Sequence, residues 1–137
     1  ILGTARTLRA QGRTVAVTTP IEHKAILAAV HQVAHEGGGE RLVAVTADGL
    51  VDRADYTRCL GPDVAIASVM WVNNEVGVMQ DVPSLAAEAK SHGIVFHTDA
   101  VQAFGKVTID AKLVPFDLLT ISGHKLGAPK GIGALYI

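Results

Sequence analysis

Short β-branched apolar runs alternate along this chain with longer stretches whose apolar residues recur at helical spacing. Residues 14–19 (TVAVTT) read as a strand. Between residues 21 and 36 the apolar positions 26, 29, 30 and 33 mark one helix face. Gly37-Gly38-Gly39 stops that helix, because glycine takes the left-handed cap conformation at little cost. Residues 42–46 form a second predicted strand, and 52–60 a short helix with Asp52 as its N-cap. Residues 64–72 are nearly all apolar, as in a strand covered on both faces. A helix over 82–92 follows, with Pro83 in its first turn and Gly93 at its end. Residues 94–98, 116–121 and 132–137 are the remaining predicted strands. Strand alternating with helix implies crossover connections: an α/β fold with a mostly parallel sheet flanked by helices. No repeat, low-complexity segment or Pro-rich linker divides residues 1–137.

Composition narrows the function. Apolar residues make up 49% of the 137 positions and charged ones 18%, enough for a packed core and against disorder. Lys plus Arg is 12 and Asp plus Glu is 13, so no basic excess exists to neutralise nucleic-acid phosphates. Apolar runs reach about six residues, against the roughly 20 that a membrane-spanning helix needs. The single Cys59 excludes an internal disulfide framework and a cysteine-based zinc site, and it reads as a small core residue. His31 and His35 share a helix face, but no H-E-x-x-H frame or third ligand accompanies them, so a solvated face is expected and no metal. These features together imply a soluble, cytoplasmic protein. The chain starts at Ile1-Leu2-Gly3 without an initiator Met and ends in GALYI, which reads as a strand cut before its turn. The expectation is a segment of a larger protein.

Ligands of a mostly parallel sheet gather outside the carboxyl ends of its strands, and the unusual polar residues fall there. Glu22-His23-Lys24 follows the first strand, Asn73-Asn74-Glu75 the third, His97 to Gln102 the fourth, and Ser122-Gly123-His124-Lys125 the fifth. Asp99 is either the N-cap of a turn starting near Ala100 or a buried carboxylate awaiting a bound cation. Lys125 is either a solvated loop lysine or an imine-forming amine, flanked by donors on Ser122 and His124 and by the small Gly123. His23 is either a satisfied residue at a helix start or a flat ring for stacking. Asn74 could cap a turn, and Gln102 could lie on a helix surface. The GAPKGIG stretch lacks the spacing of a phosphate-binding P-loop.

The blocks EHKA at 22–25, VNNEVGVMQ at 72–80, HTDAVQAFGK at 97–106 and SGHKLGAPKGIGALY at 122–136 resemble the NifS-like cysteine desulfurases. These belong to the aminotransferase class V branch of fold type I pyridoxal-phosphate enzymes. The resemblance implies that Lys125 forms the imine with pyridoxal 5'-phosphate and that Asp99 pairs with the ring nitrogen. It further implies that Gln102 bonds the phenolic oxygen, His23 stacks on the ring and moves protons, and Asn74 touches cofactor and substrate carboxylate. Ser122 and His124 are implied phosphate ligands. The implied reaction converts L-cysteine to L-alanine, passing sulfur to a protein persulfide and then to a sulfur acceptor or iron–sulfur scaffold protein. A homodimer is implied for the complete enzyme.

The family's upstream phosphate-binding helix start, downstream persulfide cysteine and small C-terminal domain have no counterpart here, and Cys59 does not match that cysteine. Residues 1–137 are therefore expected to be part of the large cofactor-binding domain and to be inactive alone. Ala128 stands where the family's GPKG pattern has glycine or proline. The competing readings are another class V aminotransferase, a selenocysteine lyase, or a non-catalytic domain of the same fold.

Overall fold

The computed structural model describes residues 1–137. Its strands are β1 (Val15–Thr18), β2 (Gly39–Leu42), β3 (Val64–Ser68), β4 (Val95–Asp99), β5 (Leu118–Ser122) and β6 (Gly133–Tyr136). They form one sheet in the order β2-β1-β3-β4-β5-β6. Every pairing is parallel except that of β5 with β6. Parallel neighbours need crossovers, which cover both faces of a sheet. All residues of β1 and β3 are accordingly buried.

The helices are α1 (Leu2–Leu8), α2 (Lys24–His35), α3 (Arg53–Cys59) and α4 (Val82–Ser91). Ala5 of α1 and Val30 and Val33 of α2 pack with Ala16, Ala65 and Ile66 in one core layer. Tyr56 of α3 and Leu85, Ala86 and Ala89 of α4 pack with Val17, Val64, Ala67 and Phe96 in a second, larger one. The fully buried Tyr56 donates its hydroxyl to the Leu85 carbonyl at 3.1 Å, so its polar tip is satisfied.

Local chemistry sets the helix ends. Asp52 Oδ1 accepts the Asp55 N–H at 3.0 Å, the expected cap of α3. Asp81 caps α4 from the Ser84 N–H at 3.3 Å, with Pro in the first turn. Beyond α2, Gly37 takes φ +82°. Its N–H donates to the Ala34 carbonyl and that of Gly38 to Val33, so two otherwise unpaired carbonyls are closed off.

Three elements depart most from the sequence expectation. The second strand is Gly39–Leu42, not 42–46, because Gly39, Glu40 and Arg41 pair with Val15, Ala16 and Val17. Main-chain pairing at a sheet edge, half exposed, carries no apolar signature there. The third strand stops at Ser68, although the chain stays bonded to β4 through Val69 N–H to His97 O and Trp71 N–H to Asp99 O. Its apolar run to 72 reflects continued burial beyond the regular ladder. Helix α1 has no sequence counterpart, since Ala5 is its one buried residue.

His97 lies within β4, 2% exposed, between Ser68 Oγ at 2.7 Å and Thr120 Oγ1 at 3.2 Å. Burial pushes the imidazole down to about 4. The folded chain thus holds it neutral, whereas an unfolded chain protonates it near its ordinary value of about 6.5. Between those values unfolding takes up a proton, so this contribution to stability is lost as pH falls through the window. His97→Gln is expected to remove a slope of up to about 1.4 kcal/mol per pH unit from denaturation series between roughly pH 4 and 6.5. An unchanged slope would show that another group titrates. Close packing gives a second expectation. A Cβ on Gly38 would lie 2.3 Å from the Thr14 carbonyl oxygen, whereas one on Gly3 meets nothing within 4 Å. Gly38→Ala should cost about 1–3 kcal/mol and Gly3→Ala should add about 0.4–1 kcal/mol, both read from denaturant midpoints.

Candidate active site

Strands β1, β3, β4 and β5 are adjacent and parallel, so their carboxyl ends emerge along one edge of the sheet. The chain leaves β1 toward β2 and leaves β3 toward β4, in opposite directions along the sheet. A crevice follows between β1 and β3, the place where open α/β sheets bind ligands. The loops there enclose a cleft of about 460 Å³, within the size range of small-molecule sites. His23, Asn74, Asp99, Gln102, Ser122, His124 and Lys125 all line it. The seven residues singled out from sequence are thus brought together from four separate strand ends.

Asp99 closes β4 and is 9% exposed. Its Oδ1 accepts the Val101 N–H at 2.9 Å, and no Lys or Arg forms an ion pair with it. Burial pushes the carboxyl up, while the Val101 N–H and the field of His23 pull it back. Asp99 thus caps a turn and is a buried carboxylate that no Lys or Arg of the chain pairs with. His23 is the N-cap of α2, its Nδ1 accepting the Ala25 N–H at 3.2 Å. That bond assigns the proton of the neutral ring to Nε2, while the ring lines the cleft.

Asn74 leaves the turn-capping role to its neighbour. Asn73 Oδ1 accepts from the N–H groups of Glu75 and Val76 at 2.8 and 2.9 Å, and Asn74 is exposed at the cleft. Gln102 lies in the turns after β4, not on a helix, and accepts from Lys106 Nζ at 3.4 Å. Ser122 Oγ and His124 Nδ1 are 2.7 Å apart, which orients the imidazole. Lys125 sits in the 3-10 turn Gly123–Leu126, exposed and without a carboxylate partner. Buried Gly123 allows close packing at that turn: a Cβ there would stand 3.1 Å from both Ala128 Cβ and the Ile132 carbonyl oxygen.

Sequence reasoning missed Met70 and Thr120, which line the cleft, and named Glu22, buried beside it, without giving it a role. A glutamate between an apolar residue and a helix cap was the available signal for Glu22. Elsewhere, His31 Nδ1 lies 2.5 Å from Glu40 at the β2 edge, outside the cleft. Cys59 ends α3 and packs against the larger core, and burial raises its thiol.

The chain matches the aminotransferase class-V family over residues 1–137. A cysteine desulfurase of Bradyrhizobium diazoefficiens is 49% identical over 127 residues, covering 93% of this chain and 32% of the relative. The cysteine desulfurase IscS of Mannheimia succiniciproducens is 42% identical over 137 residues, covering 100% of this chain and 34% of the relative. The chain spans about a third of the length of these curated relatives. Among solved structures, SspA in complex with cysteine superposes with TM-score 0.93 at 34% identity, covering 99% of this chain and 39% of that one. A NifS-like protein superposes with TM-score 0.92 at 32% identity, covering 98% of this chain and 37% of that one. With the family matched from the first residue to the last and the sheet shared with these structures, the chain belongs to the aminotransferase class-V family.

Proposed function

We propose that these residues form part of the large cofactor-binding domain of a pyridoxal-phosphate-dependent cysteine desulfurase. The observation that carries this reading is a free amine, Lys125, lining the same cleft as Asp99, a buried carboxylate with no cation of its own. A cofactor with an aldehyde, a basic ring nitrogen and a phosphate needs an amine, an anion and a group of donors. The cleft offers Lys125, Asp99 and the Ser122–His124 pair for these tasks. The donor set fits.

Lys125 would hold the cofactor covalently and then serve as the amine that takes the proton from the substrate α-carbon. Asp99 would keep the ring nitrogen protonated, and that positive charge would offset the cost of burying the carboxylate. Gln102 would hold the phenolic oxygen, His23 would stack on the ring face, and Ser122 and His124 would bind phosphate oxygens. Asn74, exposed at the rim, would orient the substrate carboxylate. When bound, the cofactor supplies an electron sink for charge developing at the α-carbon.

The substrate is L-cysteine. A protein thiolate takes its sulfur as a persulfide, L-alanine leaves, and the sulfur passes on to an acceptor or iron–sulfur scaffold protein. Cys59, packed against the core with a raised thiol, is not assigned that role. The reading places the accepting cysteine, the main phosphate-binding segment and the small domain outside these residues, in line with the third of the relatives' length that they span.

The test uses the full-length gene product with pyridoxal phosphate. The expected result is a visible imine absorbance that Lys125→Ala abolishes, and alanine formed from cysteine. Asp99→Asn should lower turnover by about 10²–10³, the range for removing one charge-stabilising group. Absorbance surviving in Lys125→Ala would overturn the lysine assignment. Absorbance without alanine from cysteine would point to a different class V reaction.

A further inference from the structure

Glu22 has no task in holding cofactor or substrate, yet it is 6% exposed at the β1–β3 crevice. Its Oε1 accepts the Met70 N–H at 2.7 Å and the Thr19 hydroxyl at 3.2 Å. Its Oε2 is buried without any partner. No cation pairs with it. The charged group that faces it is Asp99, another carboxylate at the end of β4. The segment packed against it, Met70 to Asn73, carries no ionisable side chain. His23, next to it in the chain, acts on Asp99.

An ionised carboxylate in this setting would carry a desolvated oxygen without compensation and face a second anion, which favours the neutral acid. Burial and the field of Asp99 raise Glu22 to about 8 against the pull of its two hydrogen bonds. The bonds also have a position. Glu22 to Met70 joins the end of β1 to the end of β3, across the crevice. Asn73 Nδ2 donates to the Ile21 carbonyl at 2.8 Å, a second tie over the same gap. Each tie lies one residue before a residue of the cleft: Glu22 before His23, Asn73 before Asn74.

Resting on the cofactor reading above, we propose that Glu22 is a positioning residue. As an uncharged acid it fixes the His23 segment against the Met70–Asn74 segment and leaves Asp99 the only negative charge serving the ring nitrogen.

The experiment compares Glu22→Gln and Glu22→Ala in the full-length gene product. Glutamine is neutral and keeps the Oε1 acceptor. The expected result is an unchanged pH midpoint of the imine absorbance and unchanged cofactor affinity in Glu22→Gln. Glu22→Ala should bind pyridoxal phosphate about tenfold more weakly, the scale of one hydrogen bond. A midpoint shifted by about half a pH unit or more in Glu22→Gln would mean that a charge had been removed, and would overturn the proposal. Wild-type affinity in Glu22→Ala would overturn the positioning role. Should Glu22→Ala not fold, infrared spectra of the cofactor-free protein at pH 7 decide. The carbonyl stretch of a protonated carboxyl is expected in the parent and absent in Glu22→Gln, and a parent spectrum without it sinks the idea. A wild-type protein without imine absorbance would overturn the cofactor reading instead, while the infrared comparison still judges the proton on Glu22.

Discussion

Parallel pairing of β1, β3, β4 and β5 is the constraint from which the rest follows. Parallel neighbours cannot be joined by a tight turn, so the chain must cross over the sheet and cover it. Covered strands must be apolar, which makes a mid-strand polar group costly unless its partners are built in, as Ser68 and Thr120 are for His97. Chemistry is thereby displaced to the strand ends. Because the four strands point the same way, those ends meet along one edge. Small residues help: Ala16 and Ala65 let α1 and α2 approach on one face, and Ala67 and Ala86 serve the other. A cleft drawing residues from positions 23 to 125 is a consequence of this arrangement.

Burial at that edge and in the strands behind it sorts the ionisable groups by how each avoids an unpaired charge. His97 gives up its proton between two hydroxyl partners. Glu22 keeps its proton, lacking a cation and facing Asp99. Their effects on stability oppose one another with pH. The neutral His97 is disfavoured as pH falls toward 4, and the protonated Glu22 as pH rises from near 4.5 toward 8. Asp99 differs from both. It has the Val101 N–H and the field of His23 on its side, and it faces an open cleft where a cationic ring can reach it. Of the three groups, Asp99 alone has a cleft to supply its counter-charge.

Much of this was legible in the chain itself. Covered strands announce themselves by continuous apolar runs, so β1 and β3 could be placed, and caps such as Asp52 and Gly37 are local chemistry. The seven cleft residues stood out because polar groups at the ends of apolar strands need a reason, and four family-like blocks tied them together. Edge strand β2 was displaced because its pairing partner, and not its own residues, decides where it lies. Helix α1 buries too little to leave a period. Glu22 was noticed but given no role, because its partners, Met70 N–H and Asp99, are distant in sequence, and no local pattern marks a long-range hydrogen bond to a backbone amide.

That omission exposes a regularity in how the blocks are built. In EHKA, Glu22 is buried and bonded while His23 reaches the cleft. In VNNEVG, Asn73 is buried and holds three backbone groups while Asn74 is left exposed. In SGHK, buried Gly123 admits the packing of Ala128 while Ser122 and His124 face the ligand space. Each of these three blocks pairs a residue that fixes the backbone with a neighbour that the fixed backbone aims. Side chains on a loop lose much freedom when ordered, so a loop that presents one to a ligand needs an anchor within a residue or two. Rigid placement of reacting groups is what such sites require. The anchors therefore belong to the chemistry as much as the groups that touch the ligand, although their contacts are all to the protein.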